Sequence, residues 1–311
     1  GAIRLMVVSD YLTEIAEVTL QLVQYGDWRD LHKKYGRPGD LGDMDTGFAV
    51  IGYGKLGGIE LGYASDLDLV FLHDSGAKAQ KTSGPKSVDN SVFFTRLGQR
   101  IIHMLETFTA AGILYEVDMR LRPSGHSGML VSSIDAFADY QREEAWIWEH
   151  QALVRARPVA GDPGLGKAFN RIRAQVLAAD SNVENLRSEV RDMRERMRAE
   201  LGSKSDAGFH LKQDRGGIVD IEFMVQYLVL RWCHDHEKLL RHTDTIHLLK
   251  ALATAGLLKS AYAQTLIEAY RQYRAVSHRL TLAEASSLVE DEQLQTQRKR
   301  VAEIWKQLME S

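Results

Sequence analysis

The chain carries one cysteine, Cys233, and five prolines, none of them after Pro163, and it has no run of eighteen apolar residues. A single thiol excludes an internal disulfide and suits a reducing compartment such as the cytoplasm. The missing apolar run argues against a membrane-spanning helix. Lys and Arg number 39 against 42 Asp and Glu, a net charge of −3, so no global basic field points to nucleic acid as a partner. Neither a signal-peptide nor a transit-peptide pattern opens the chain, and Gly1 reads as a scar of preparation. What is present is a globular composition over 311 residues, enough for two domains.

Apolar residues at helical spacing (Leu12, Ile15, Ala16, Val18, Leu22, Val23) predict a helix over 9–35, ending before Gly36 and Pro38 in the polar loop PGDLGDMDTG. Short apolar runs predict strands at 48–53, 66–73 and 113–121, with further ones at 129–132 and 152–159. A polar loop at 76–89 and helices near 94–109 and 135–148 separate them. Beyond about residue 163 strand signals stop and successive helices follow. One spans 184–201 with the stripe Leu186, Val190, Met193, Met197 and Leu201, and another spans 218–232. The expected fold is α+β: a lead-in helix (1–46), a domain with a small mixed sheet (47–163) and a helical-bundle domain (164–311).

The stretch GYGKLGGIELGYASDLDLVFLHD, residues 52–74, makes two competing offers. Its first six residues fit G-x-G-x-x-G. A dinucleotide site would need a crossover helix after that turn. The next strand begins only eight residues beyond Gly57, and a parallel return needs a dozen or more. An antiparallel pair joined by a glycine turn is the expected outcome. A Walker loop fails too, since no Ser or Thr follows Lys55. On a strand, Asp66 and Asp68 project from one side. Carboxylates about 4 Å apart repel by about 4 kcal/mol at an effective dielectric of 20, so holding both ionised points to a cation between them. Asp118, in YEVDMRLRP, offers a third carboxylate on the strand face of Glu116 and Arg120. Three such groups on adjacent strands suit one or two Mg²⁺ ions presented to a triphosphate. The glycine turn would cradle phosphate oxygens, Lys55 would add a point charge, and Arg120 and Arg122 would finish a basic wall.

Other segments have simpler readings. Trp146 and Trp148 point to different faces, one expected in the core and one bridging domains. Arg155 and Arg157 lie on a predicted strand, facing either triphosphate or Glu143, Glu144 or Glu149. Asp220 and Glu222 favour a helix N-terminus or reach the active site across the domain boundary. His126 fits a solvated loop. Cys233-His234-Asp235-His236 point about 100° apart on a helix and do not converge on one ion. The Arg-rich helix at 184–201 mixes both signs at i,i+4, which predicts an exposed salt-bridged face.

A glycine turn, D-x-D and a later strand aspartate, in that order, resemble the polymerase-beta-type nucleotidyltransferase superfamily. The strings GYGKLGGIELGYASDLDLVFLHD, YEVDMRLRPSGHSGMLV, AWIWEHQALVRARPVAGD and GGIVDIEFMVQYLVLR resemble the glutamine synthetase adenylyltransferase family over nearly the whole chain. ELGYASDLDLVFLHD and RPSG are similar to its C-terminal, adenylylating half. The resemblance implies a nucleotidyltransferase-type domain that moves AMP from ATP to a tyrosine of glutamine synthetase, with Mg²⁺ on Asp66, Asp68 and Asp118. Phosphorolytic removal of AMP, or a non-catalytic sensing module, are the alternatives. It also implies regulation by glutamine and the PII protein. Gly54, Lys55, Gly57, Gly58, Ser65, Arg120 and Arg122 are the candidate nucleotide contacts. The superfamily's glycine turn falls on Gly54-Lys55 by spacing and on Gly57-Gly58 by residue type, so either pair would touch phosphate.

Overall fold

The computed structural model describes residues 5–41, 46–75, 80–179, 183–202, 208–289 and 292–310. Gly1, the tip of the loop before the first strand (42–45) and the start of the polar loop at 76–79 lie outside the described residues. A long helix, α1 (Leu5–Tyr35), leads to β1 (Phe48–Gly52), a single helical turn α2 (Gly54–Gly57), and β2 (Leu67–His73). Then come α3 (Asn90–Glu106), β3 (Val117–Asp118), β4 (Val131–Ser133), α4 (Ile134–Glu143), α5 (Ile147–Val154) and β5 (Arg157–Gly161). Helices α6 (Pro163–Ala178), α7 (Val183–Leu201), α8 (Ile218–Trp232), α9 (Thr245–Thr254), α10 (Ser260–Leu282) and α11 (Glu292–Trp305) make up most of the rest. A small antiparallel pair, β6 (Phe209–His210) with β7 (Leu288–Val289), ties their loops together.

The main sheet runs β3-β2-β1-β5, with β4 continuing beside β2. It is mixed: β1 pairs antiparallel with β2 and β5, while β3 and β4 run parallel to β2. The β1–β2 pairing bears out the antiparallel reading of the eight-residue connection. Both sheet faces are buried, because alternate residues feed different cores. Phe48, Val50, Leu67, Leu69 and Phe71 pack with α1 and α3, whereas Ala49, Ile51, Val70 and Leu72 join a core continuous with α6 to α11. By that alternation Asp66 and Asp68 face the helical side.

Some elements differ from expectation. The strand expected over 113–121 pairs only at Val117 and Asp118. Before it, the Leu114 and Tyr115 amides donate to the Leu105 carbonyl. After it, the Arg120 amide turns back onto Asp118. The run at 152–159 divides: α5 continues to Val154 and the strand starts at Arg157. The helix near 135–148 is two helices, α5 being capped at Trp146, whose amide donates to the Glu149 carboxylate at 2.9 Å. Neither tryptophan enters the core; Trp146 is 69 % exposed, and both line a groove against Met193 of α7. The α7 face is not uniformly solvated either. Arg194 is fully buried, and with Arg198 it binds Asp220 of α8 at 2.7 and 2.9 Å.

Candidate active site

The Tyr53 amide donates to the Asp68 carbonyl (2.9 Å), so α2 begins directly beside the carboxylate strand. Gly54 has φ of +54°, and a Cβ there would overlap the Asp68 Oδ2. Only glycine fits this place, for conformational and steric reasons alike. Gly57 and Gly58 face another way. Their amides are spent on the Tyr53 and Gly54 carbonyls, and Cβ atoms there would strike the Arg155 carbonyl and guanidinium. The two glycine pairs thus separate: Gly54-Lys55 borders the carboxylates, and Gly57-Gly58 packs on Arg155.

Parallel pairing sets Asp68 opposite Asp118, with Asp66 just ahead of β2. One carboxylate oxygen from each of the three lies within 4.8 Å of the other two. Burial, and then the charges of Asp66 and Asp118, push the Asp68 pKa up to about 6. Burial alone would raise Asp118 as well, but the Arg120 side-chain and backbone hydrogen bonds bring it below the usual carboxylate range. Arg120 Nε lies 2.7 Å from Asp118 Oδ2. The cluster holds more negative charge than Arg120 neutralises, and its donors are all hard oxygens. This set fits Mg²⁺.

A cavity of about 520 Å³ opens over the cluster, between the sheet and the helices. Gly54, Lys55, Ser65, Asp66, Asp68 and Arg120 line its sheet side, and Lys212, Glu222, Tyr270 and His278 face them. That volume lies within the range of small-molecule sites. Lys55 Nζ reaches Ser65 Oγ at 3.4 Å, and Ser65 Oγ accepts the Gly62 amide at 3.0 Å, fixing the turn before Asp66. Burial and then Lys212 lower the Lys55 pKa. Arg122 does not join this wall. It donates to the Met119 (2.9 Å) and His126 (3.2 Å) carbonyls and braces the loop instead. His126 itself is exposed.

The cavity floor holds a network that sequence reasoning missed. Arg155, at the end of α5, binds the buried Glu60 and also Glu222 (2.7 Å), rather than Glu143, Glu144 or Glu149. Tyr270 donates to Glu60 at 2.6 Å, and the Thr245 amide donates to Glu60 at 2.9 Å. Burial disfavours the charge on Arg155, yet Glu60 and Glu222 hold its pKa well above normal. Three elements, the end of α5, α9 and α10, meet on this one carboxylate. Glu60 carries no periodic signal, and its partners lie 95 to 210 residues away, so no local pattern announces them. Arg157 is spent on Glu17 and the Leu56 and Gly57 carbonyls.

The Cys233 to His236 group does not converge on an ion: the buried Cys233 thiol donates to the Leu177 carbonyl, and His234 pairs with Asp235. A second His and Asp group does come together, His242, Asp244 and His247. Its geometry is that of a helix N-cap, Asp244 accepting the His247 amide at 2.8 Å.

A small mixed sheet that brings D-x-D beside a third strand aspartate, under a cavity of about 520 Å³, is the arrangement expected of a nucleotidyltransferase-type domain. The family model for glutamate-ammonia ligase adenylyltransferase matches residues 1–172, and the chain belongs to that family. A model for the PII-uridylyltransferase GlnD matches residues 184–307. Relatives include bifunctional glutamine synthetase adenylyltransferase/adenylyl-removing enzymes from three bacteria. That of Thioalkalivibrio sulfidiphilus is 54 % identical across 100 % of this chain and 32 % of its own length. Those of Hahella chejuensis (52 %, over 98 % of this chain and 32 % of the relative) and Pseudomonas aeruginosa (50 %, over 99 % and 33 %) are similar. The chain therefore spans about a third of the length of these relatives.

Proposed function

We propose that this chain catalyses Mg²⁺-dependent transfer of AMP from ATP to a tyrosine hydroxyl of glutamine synthetase. The observation that carries the reading is the three-carboxylate cluster at the mouth of the cavity. Asp66, Asp68 and Asp118 would hold Mg²⁺, which when bound supplies charge neutralisation for the triphosphate. Gly54 leaves room for the Asp68 carboxylate itself, and Lys55 adds positive charge to the same wall. Arg120, at the cavity edge and held by Asp118, would offer its guanidinium to the leaving pyrophosphate. The tyrosine oxygen forms a bond to the α-phosphorus as the bond to the pyrophosphate oxygen breaks. The hydroxyl proton passes to a nearby carboxylate or to solvent. Domain limits at 1–46, 47–163 and 164–311 would assign the carboxylates to the middle segment and Glu222 and Tyr270 to the last.

Family membership supports glutamine synthetase as the acceptor, and the similarity of ELGYASDLDLVFLHD to the adenylylating half supports the direction. The test supplies glutamine synthetase and Mg²⁺ with ATP labelled at either the α or the γ phosphate. Only the α label should reach the acceptor, at a tyrosine. Release of ADP from adenylylated glutamine synthetase and phosphate, without forward transfer, would support AMP removal instead. Glutamine and PII would act partly through surfaces outside this chain, so its response to both should be weaker than that of a full-length relative.

A further inference from the structure

The cations around the cavity divide into those already spent and those left to meet a ligand. Arg155 is held by Glu60 and Glu222, and Arg120 by Asp118. Arg274 donates to the Ser9 hydroxyl and the Glu60 carbonyl at 2.7 and 2.8 Å. Among the described residues that line the cavity, the two ammonium groups are left without a carboxylate partner. Lys55 stands on the sheet side, bonded to the Ser65 hydroxyl, and Lys212 stands opposite on the helical side. Like charges facing each other across one cavity repel, so the pair suits an anion placed between them. Lys212 acts on both walls. Its charge, after burial, lowers the Lys55 pKa, and burial would raise Glu222 but Arg155 and then Lys212 bring it below its usual value.

The turn that carries Lys212, between β6 and α8, is fixed by its backbone. The Ile218 and Val219 amides donate to the Leu211 and Lys212 carbonyls at 2.9 and 3.2 Å. The buried Arg194 donates to the Gln213 carbonyl at 2.6 Å and binds Asp220, which accepts the Gly216 amide at 2.7 Å. The buried ion pair between α7 and α8 thus holds the base of a lysine that is itself exposed.

We propose that Lys212 is a second triphosphate contact, meeting the β- and γ-phosphates from the helical side while Lys55 meets them from the sheet side. The proposal rests on the adenylyl-transfer reading and gives the helical part a share in binding ATP. Charge carries the choice of ligand. Three carboxylates and a triphosphate outweigh even two Mg²⁺ and Arg120, so the outer phosphates need cations beyond the metal site. The α-phosphate belongs at the carboxylates, where transfer occurs, which leaves the outer phosphates to the lysines.

Calorimetry of the chain in Mg²⁺ with either ATP or AMP reads this contact without glutamine synthetase. Lys212→Met removes a charge from an exposed side chain and should leave the circular dichroism spectrum unchanged. It should weaken ATP binding at least about tenfold and AMP binding less than about twofold. Lys212→Arg, which keeps the charge, should recover most of the ATP affinity. A wild-type chain that binds no ATP in Mg²⁺ would overturn both this contact and the adenylyl-transfer reading. If the wild type binds ATP and Lys212→Met binds it as tightly, or loses ATP and AMP equally, the lysine contact alone is overturned.

Discussion

Asp68 is the residue on which structure and chemistry bear most directly. Its carboxylate is half-buried, flanked by two others and held to a raised pKa of about 6. Between about pH 4 and 6 the folded chain binds a proton at Asp68 that the unfolded chain has released. Without metal, this group therefore favours the folded state below the unfolded value, and that contribution is lost as pH rises through about 6. Urea midpoints without Mg²⁺ should reflect this: the wild-type midpoint, relative to Asp68→Asn, should fall between pH 5 and pH 7. Saturating Mg²⁺ should flatten that difference. At neutral pH, Asp68→Asn relieves repulsion and should hold or raise metal-free stability, by about 1 kcal/mol. Gly54→Ala tests the other side of the contact. It sets a Cβ against Asp68 Oδ2 at φ of +54° and should cost about 1–2 kcal/mol of stability, with AMP transfer reduced at least tenfold. A variant with wild-type transfer would show that the carboxylate tolerates displacement.

At the scale of elements, the Glu60–Arg155–Glu222–Tyr270 network locks α2's turn, the end of α5 and helices α8 and α10 together under the cavity. Truncating a buried ion pair leaves its partners uncompensated, so Arg155→Met should lower stability by about 3–5 kcal/mol, read by denaturant unfolding. A loss below 1 kcal/mol would mean that Glu60 and Glu222 find protons or water instead. The elements also show what local sequence encodes. The antiparallel β1–β2 pair followed from the length of its connection, and α8 runs from Ile218 to Trp232 as its apolar pattern indicates. The shortness of β3 did not follow, because a strand's length depends on where its partner offers free backbone. The division between α5 and β5 was hidden too: in AWIWEHQALVRARPVAG the polar Glu149, Gln151 and Arg155 are buried along with Leu153, Val154 and Ala156, which erases the period that separates helix from strand. The carboxylates were legible because D-x-D on a strand has an electrostatic meaning by itself. Arg122 was misplaced because its loop turns away after Asp118, which no spacing rule reports.

For the whole molecule, the cavity lies where sheet and helices meet, so the sheet part alone would offer an incomplete pocket. The antiparallel turn leaves no crossover helix for a dinucleotide. Calorimetry should therefore detect ATP binding that depends on Mg²⁺ and no specific binding of NAD or FAD. A tight, metal-independent dinucleotide complex seated on Gly52 to Gly57 would reverse the reading of the turn. The proposed function makes Asp66, Asp68 and Asp118 a metal-dependent adenylyl-transfer site. It is tested most directly by the rate at which label moves from α-labelled ATP to glutamine synthetase over a Mg²⁺ titration, for wild type and for Asp68→Asn. The expected result is saturable Mg²⁺ dependence in the wild type and a loss of at least about 100-fold in a folded Asp68→Asn chain. Near-normal transfer by that variant, or wild-type transfer unaffected by chelation of divalent ions, would contradict it.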